Sequence, residues 1–127
     1  LEPITEDYSG LEAVRRIAKE YLASVENATV RTRALYVLMF ESLGPLSGLR
    51  KDFDAITEEF NRVFQLQLEL AVKKGEIPEH THCKTVAFNL VAHLRGITLM
   101  WITNPNMVDV PEIFNEFNLT LNARFSL

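Results

Sequence analysis

The chain has 127 residues, 47% of them hydrophobic, which suits a single domain built around one buried core. Its formal net charge of −4 argues against direct contact with a phosphate backbone, which calls for a basic stripe or patch, so any nucleic acid must be bound by another segment. The lone cysteine, Cys83, excludes an intrachain disulfide and fits a reducing compartment. No signal-peptide pattern begins the chain. Asn89, His93 and Arg95 interrupt the longest apolar stretch, so no membrane span is expected.

The local patterns along the chain are helical, and no sustained period-two alternation competes with them. The first seven residues, with Pro3 among them, read either as the tail of a helix or as a frayed end. Ser9 and Glu12 have the spacing of a capping box, in which the hydroxyl and the carboxylate satisfy backbone amides of the first turn. They predict a first helix carrying Leu11, Val14, Ala18, Tyr21, Leu22 and Val25 on one face. Asn27 can cap a second helix through Leu35, Leu38, Met39 and Ser42, which Gly44-Pro45 stops.

Ser47 can cap a long third helix whose stripe is Leu49, Phe53, Ile56, Phe60, Phe64, Gln67 and Ala71. Lys73 and Lys74 suit its negative end, and Gly75 suits the left-handed residue just beyond it. Thr81 is the expected cap of a fourth helix ending at Asn104-Pro105. Asp109 with Glu112 caps a fifth, with Val110, Ile113, Phe114, Phe117, Leu121 and Phe125 along one side.

The fourth helix is the most informative element. At about 100° per residue, Cys83, Ala87, Leu90, Val91, Leu94, Thr98 and Trp101 form one stripe. Val86, Phe88, Ile97, Leu99, Met100 and Ile102 occupy the other faces, so two sides call for burial. A domain of this size covers one of them, and a second copy of the chain is the natural cover for the other.

These residues also carry a resemblance. The order Ala71, Lys74-Gly75-Glu76-Ile77-Pro78, then Ala87 and Leu90, then Leu94-Arg95-Gly96-Ile97, Leu99, Trp101-Ile102 and Asn104-Pro105, then a last helix with Phe114 and Phe117, resembles the C-terminal half of TetR-family transcriptional regulators. The likeness covers nearly the whole chain and rests on the order and spacing of helices more than on any single residue. It implies an all-α, five-helix bundle, one domain over residues 1–127, that senses a small molecule and dimerises. The last two helices, Thr81–Thr103 and Val110–Phe125, would pair with their mates into a four-helix bundle. Family members begin with a helix-turn-helix DNA-binding domain. Nothing of that kind precedes Leu1, so the chain is expected to be an excised regulatory domain of a bacterial cytoplasmic protein that reaches DNA only through the missing segment.

The resemblance further implies a closed cavity among the first four helices. A polar group standing inside an apolar stripe is the sign of such a site, because burying it without a partner costs about 1–3 kcal/mol. Gln67 is the foremost candidate, its alternative being a hydrogen bond to another helix; Thr57, at the edge of the same stripe, can simply bond its own backbone. Tyr21, Tyr36, Met39, Phe40, Phe60, Phe64 and Trp101 would supply walls for an apolar or aromatic effector, although each such residue is more often ordinary core. His93 faces either the pocket or the partner, or is a structural histidine. For the dimer interface the candidates are Asn89, Gly96 and Met100 on the fourth helix and Phe114, Phe117 and Leu121 on the fifth. Arg95 joins them, paired with Glu112 or Glu116 across the interface or simply solvated.

Other chemistry finds less support. His80, His82 and Cys83 are metal-ligand types, but no second group has matching spacing, and no cofactor is expected. No nucleophile elbow, zinc-protease motif or phosphate loop occurs, and Asp52, Asp54, Glu58 and Glu59 read as a solvated face, so the chain is not expected to be an enzyme. The alternative to effector sensing is a helical dimerisation or protein-interaction module with no ligand.

Overall fold

The structure is a computed structural model that describes residues 2–125. Every regular element among them is helical: α1 (Glu2–Asp7), α2 (Leu11–Asn27), α3 (Thr29–Glu41), α4 (Arg50–Lys73), α5 (Cys83–Thr103) and α6 (Val110–Phe125). Short 3-10 turns, Ser47–Leu49 and Pro105–Met107, lead into α4 and out of α5. The all-α class expected from the sequence holds. There are six helices and not five, because the segment before Ser9 forms the short α1, with Ile4 packed on the core.

α5 packs chiefly along α4 and also on α2 and α3, while α2 packs against α4 on one side and α6 on the other. Its expected stripe is the buried one: Ala87, Leu94 and Thr98 are fully enclosed and Cys83, Val91 and Trp101 nearly so. Of these, Cys83, Ala87, Val91 and Leu94 join Val14, Ile17, Ala18, Phe64, Leu68 and Phe117 in the main core. A smaller second core gathers Val25, Tyr36, Trp101 and Ile102 at the far end of α5. By length and composition α5 could cross a membrane, since an 18-residue window averages a hydropathy of 1.3 with 33% of the window buried.

Helix starts depart from the expected caps. Leu11 opens α2 after Gly10, and Ser9 serves instead as an acceptor for Lys74 Nζ, 3.3 Å from both its carbonyl and its hydroxyl. Glu12 turns outward to Arg16 at 2.8 Å, so no capping box forms. Asn27 is the last residue of α2 and Ala28 precedes α3; Ser47 lies in the 3-10 turn, three residues before α4 begins; and Thr81 donates to the Pro78 carbonyl at 2.7 Å while His82 precedes α5. Thr81 shows the competition open to any short polar side chain, which can bond a turn carbonyl in place of a helix amide. Asp109 does cap α6, accepting from the Glu112 amide at 3.2 Å.

The end of α4 follows its sequence. Gly75 takes φ 76°, its amide bonds to the Val72 carbonyl at 3.0 Å and that of Glu76 to the Ala71 carbonyl at 2.9 Å, which together make a Schellman motif. That turn aims Glu76 back at α2, where its Oε1 accepts from the Leu11 amide at 3.1 Å. Only the C-terminal half of α4 is core. Phe64, Gln67, Leu68 and Ala71 are buried, whereas Phe53 and Phe60 are half-buried and Ile56 is exposed. α3 buries one residue, Tyr36, and leaves Val30, Val37 and Phe40 in the open. Between α3 and the outer half of α4 the bundle is therefore split.

Candidate functional site

The split is a cleft walled by α2, α3, α4 and α5. Its deeper part, about 260 Å³, lies between Tyr21, Tyr36, Met39, Phe53 and Arg95. A neighbouring part of about 480 Å³ continues over Ile56, Phe60 and Glu59, and Tyr21 and Arg95 line both. It is open on one side and not the closed cavity the resemblance implies, because α3 contributes a single buried residue and does not lie down on α4.

Aromatic rings give the floor its shape. Phe60 stands between Tyr21 and Phe64, with ring centroids 5.2 Å apart on both sides, tilted against the first and edge-on to the second. Above this floor runs a line of hydroxyls. Thr98 Oγ1 donates to the Leu94 carbonyl at 2.8 Å and stands 3.1 Å from the Tyr21 hydroxyl, which is 3.3 Å from that of Tyr36. A threonine carries one hydroxyl proton; with Leu94 taking it, Tyr21 donates to Thr98 and accepts from Tyr36. Burial pushes the Tyr36 hydroxyl far above the usual phenol range and its bond to Tyr21 adds to this, while Thr98 and the charge on Arg95 pull the other way. Tyr36 is thus a neutral hydrogen-bond donor at the cleft wall.

Arg95 is the feature the sequence assigned elsewhere. It is half-buried, lines the cleft and makes a 3.8 Å contact from Nη1 to Met39 Sδ. A thioether is a weak acceptor, and among the described residues the guanidinium has no stronger one.

The remaining ligand candidates separate. Tyr21, Tyr36, Met39 and Phe60 line the cleft. Phe64 is fully enclosed in the main core, and Trp101 belongs to the second core, so both support the site without facing it. Gln67 is buried, and its Oε1 accepts from the Gly10 amide at 3.0 Å. Together with Glu76 it satisfies the first two orphan amides of α2, which a local cap would otherwise hold. Its polarity is explained inside the monomer, and the ligand role expected for it is withdrawn. Thr57 behaves as its alternative reading had it, donating to the Phe53 carbonyl at 3.0 Å.

His93 lies on the opposite face of α5, exposed, with its ring 5.8 Å from that of Phe117. It borders a groove of about 190 Å³ between α5 and α6, along with Asn89 and Leu121. Phe117 and Leu121 are core residues, each 2% exposed, and only their edges reach that groove. Phe114 is half-buried with Lys19 Nζ 6.0 Å from its ring centre. Asn89, Gly96 and Met100 are exposed, and a Cβ added at Gly96 would meet nothing within 4 Å.

No protein-family model, curated protein or solved structure matches the chain. Among the described residues no three histidine, cysteine or carboxylate side chains converge as a metal site. What the arrangement can do follows from its geometry: accept a small, flat, mainly apolar molecule between rings, with a phenol and a guanidinium to orient it.

Proposed function

We propose that this chain is the effector-binding and dimerisation domain of a TetR-like transcriptional regulator, working in the cytoplasm and acting on DNA through a separate helix-turn-helix segment. The observation that carries the reading is the cleft itself: a ring-lined recess with convergent polar groups, inserted between four helices of one bundle. Its supports are the elements most able to transmit a change. Tyr21 on α2 and Phe60 on α4 line the cleft, and the same two helices meet again at the Gly10, Gln67 and Glu76 latch beside α1. An effector that favours one spacing of α2 and α4 shifts the population of α1 positions, and coupling of this kind is typically about 1–3 kcal/mol.

The dimer half of the proposal rests on α5. Phe88 and Met100 are each 60% exposed, Leu99 is 37% exposed, and Ala92 and Gly96 lie between them as a small-residue strip. A second copy would cover this face and use the strip for close helix approach. Sedimentation velocity of the purified chain tests it. A concentration-dependent dimer supports the proposal, and a monomer throughout the micromolar range contradicts it.

A second reading is favoured by α3, whose Val30 is 81% exposed and Phe40 53% exposed: a protein-interaction module that senses nothing. It differs in predicting no small-molecule stabilisation of the chain.

A further inference from the structure

Resting on the reading of the cleft as an effector site, we propose that its effector is an amphipathic anion, an apolar body bearing one carboxylate, held by Arg95 with Tyr36 as the second donor. Among the described residues two cationic side chains are half-buried, Arg15 and Arg95, and Arg15 has strong acceptors, Asn122 Oδ1 at 2.7 Å and Glu12 at 3.7 Å. Arg95 differs. Its only acceptor among the described residues is the Met39 thioether, although it is half-buried in a protein of net charge −4 with seventeen carboxylate side chains to draw on. A guanidinium that gives up part of its hydration without a carboxylate partner is costly, and a bidentate carboxylate is the partner its fork fits best.

The walls agree with a single negative charge. Arg31 adds a second cation at the rim of the deeper part, and the one carboxylate on the lining, Glu59, is already held by two bonds from Arg62 at 2.7 and 2.9 Å. The rest of the deeper part is rings, aliphatic chains and small hydroxyls, and about 260 Å³ leaves little room for a triphosphate or a sugar chain. Tyr36 can turn its proton from Tyr21 toward an incoming carboxylate at small cost, because the 3.3 Å bond it now makes is long.

The test is a matched set of ligands: 2-naphthoate, benzoate and decanoate, each beside its primary amide, titrated into the full chain by calorimetry. At least one carboxylate should bind tenfold or more tightly than its amide, with Arg95→Gln bringing the two to equal affinity and Tyr36→Phe weakening the acid only. The carboxylate–amide ratio in the unaltered chain stands even where a variant fails to fold. Equal binding of acid and amide, blocked by Ile56→Trp, would overturn the charge selection and keep the cleft as a binding site. Absence of binding by every member would overturn both the effector class and the reading on which it rests.

Discussion

Replacing Gln67 with methionine removes the carboxamide while keeping the length and nearly the volume of the side chain, so the measured effect reports the loss of its polar contacts with little change in packing. In the native fold the carboxamide oxygen accepts from the Gly10 amide at 3.0 Å, and the residue is buried, 6% exposed. A buried donor left without a partner costs about 1–3 kcal/mol, and loss of a helix cap costs about 0.5–2 kcal/mol, so about 2 kcal/mol is expected. With about 2.1 cal/mol/K of unfolding entropy per residue, 127 residues give about 0.27 kcal/mol/K, and 2 kcal/mol lowers Tm by about 7 °C. The assay is thermal unfolding by circular dichroism at one fixed protein concentration, because a dimer's Tm depends on concentration. A Gln67→Met chain that melts with the parent but no longer binds a ligand would refute the capping role and return Gln67 to the effector site.

Gly10→Ala tests the same latch from the other side. Gly10 has φ 71° and ψ −144°, and a Cβ there would run into Glu76 Oε1, so strain of about 1–3 kcal/mol adds to a lost cap of about 1 kcal/mol and should be visible as a markedly lower Tm. Alkaline titration followed by phenolate absorbance should show a tyrosine ionising well above the ordinary value of 10.0, and Tyr36→Phe should delete that component. The sign for stability follows: a raised folded value makes the Tyr36 contribution complete below pH 10.0 and progressively lost above it, so denaturant unfolding should show a loss of stability at high pH that the Phe variant lacks. Gly96→Ala meets empty space in the monomer and gains about 1 kcal/mol of helix propensity, so it should raise intrinsic stability while weakening self-association, as read by sedimentation equilibrium. Undiminished association would show that the Gly96 face is not the dimer contact.

Periodicity made the bundle legible. The stripes read from α2, α5 and α6 are the buried ones, since burial along a helix repeats with its own turn and needs no knowledge of the partner. The third stripe holds over half its length for a tertiary reason: the α4 stripe is buried only from Phe64 onward, and Phe53, Ile56 and Phe60 keep the same spacing while lining the open cleft. Capping was the least legible feature. Ser9, Asn27, Ser47 and Thr81 are all good caps by type, but α2 is capped by Gln67 and Glu76, 57 and 65 residues away, and no local pattern encodes a contact at that distance. Of the site, the aromatic walls were readable as residue types. Arg95 was not, because an arginine beside a glycine on an apolar helix suits an interface as well as a cleft, and only the opening between α3 and α4 decides between them.

The central claim is that one chain both pairs with a copy of itself and holds a small molecule. Native mass spectrometry of the purified chain reads both in one spectrum, since subunit count and any retained ligand appear as mass. The account predicts a dimer, with an added mass that Arg95→Gln removes. A clean monomer of 14.5 kDa that takes up none of the carboxylates tested would contradict it.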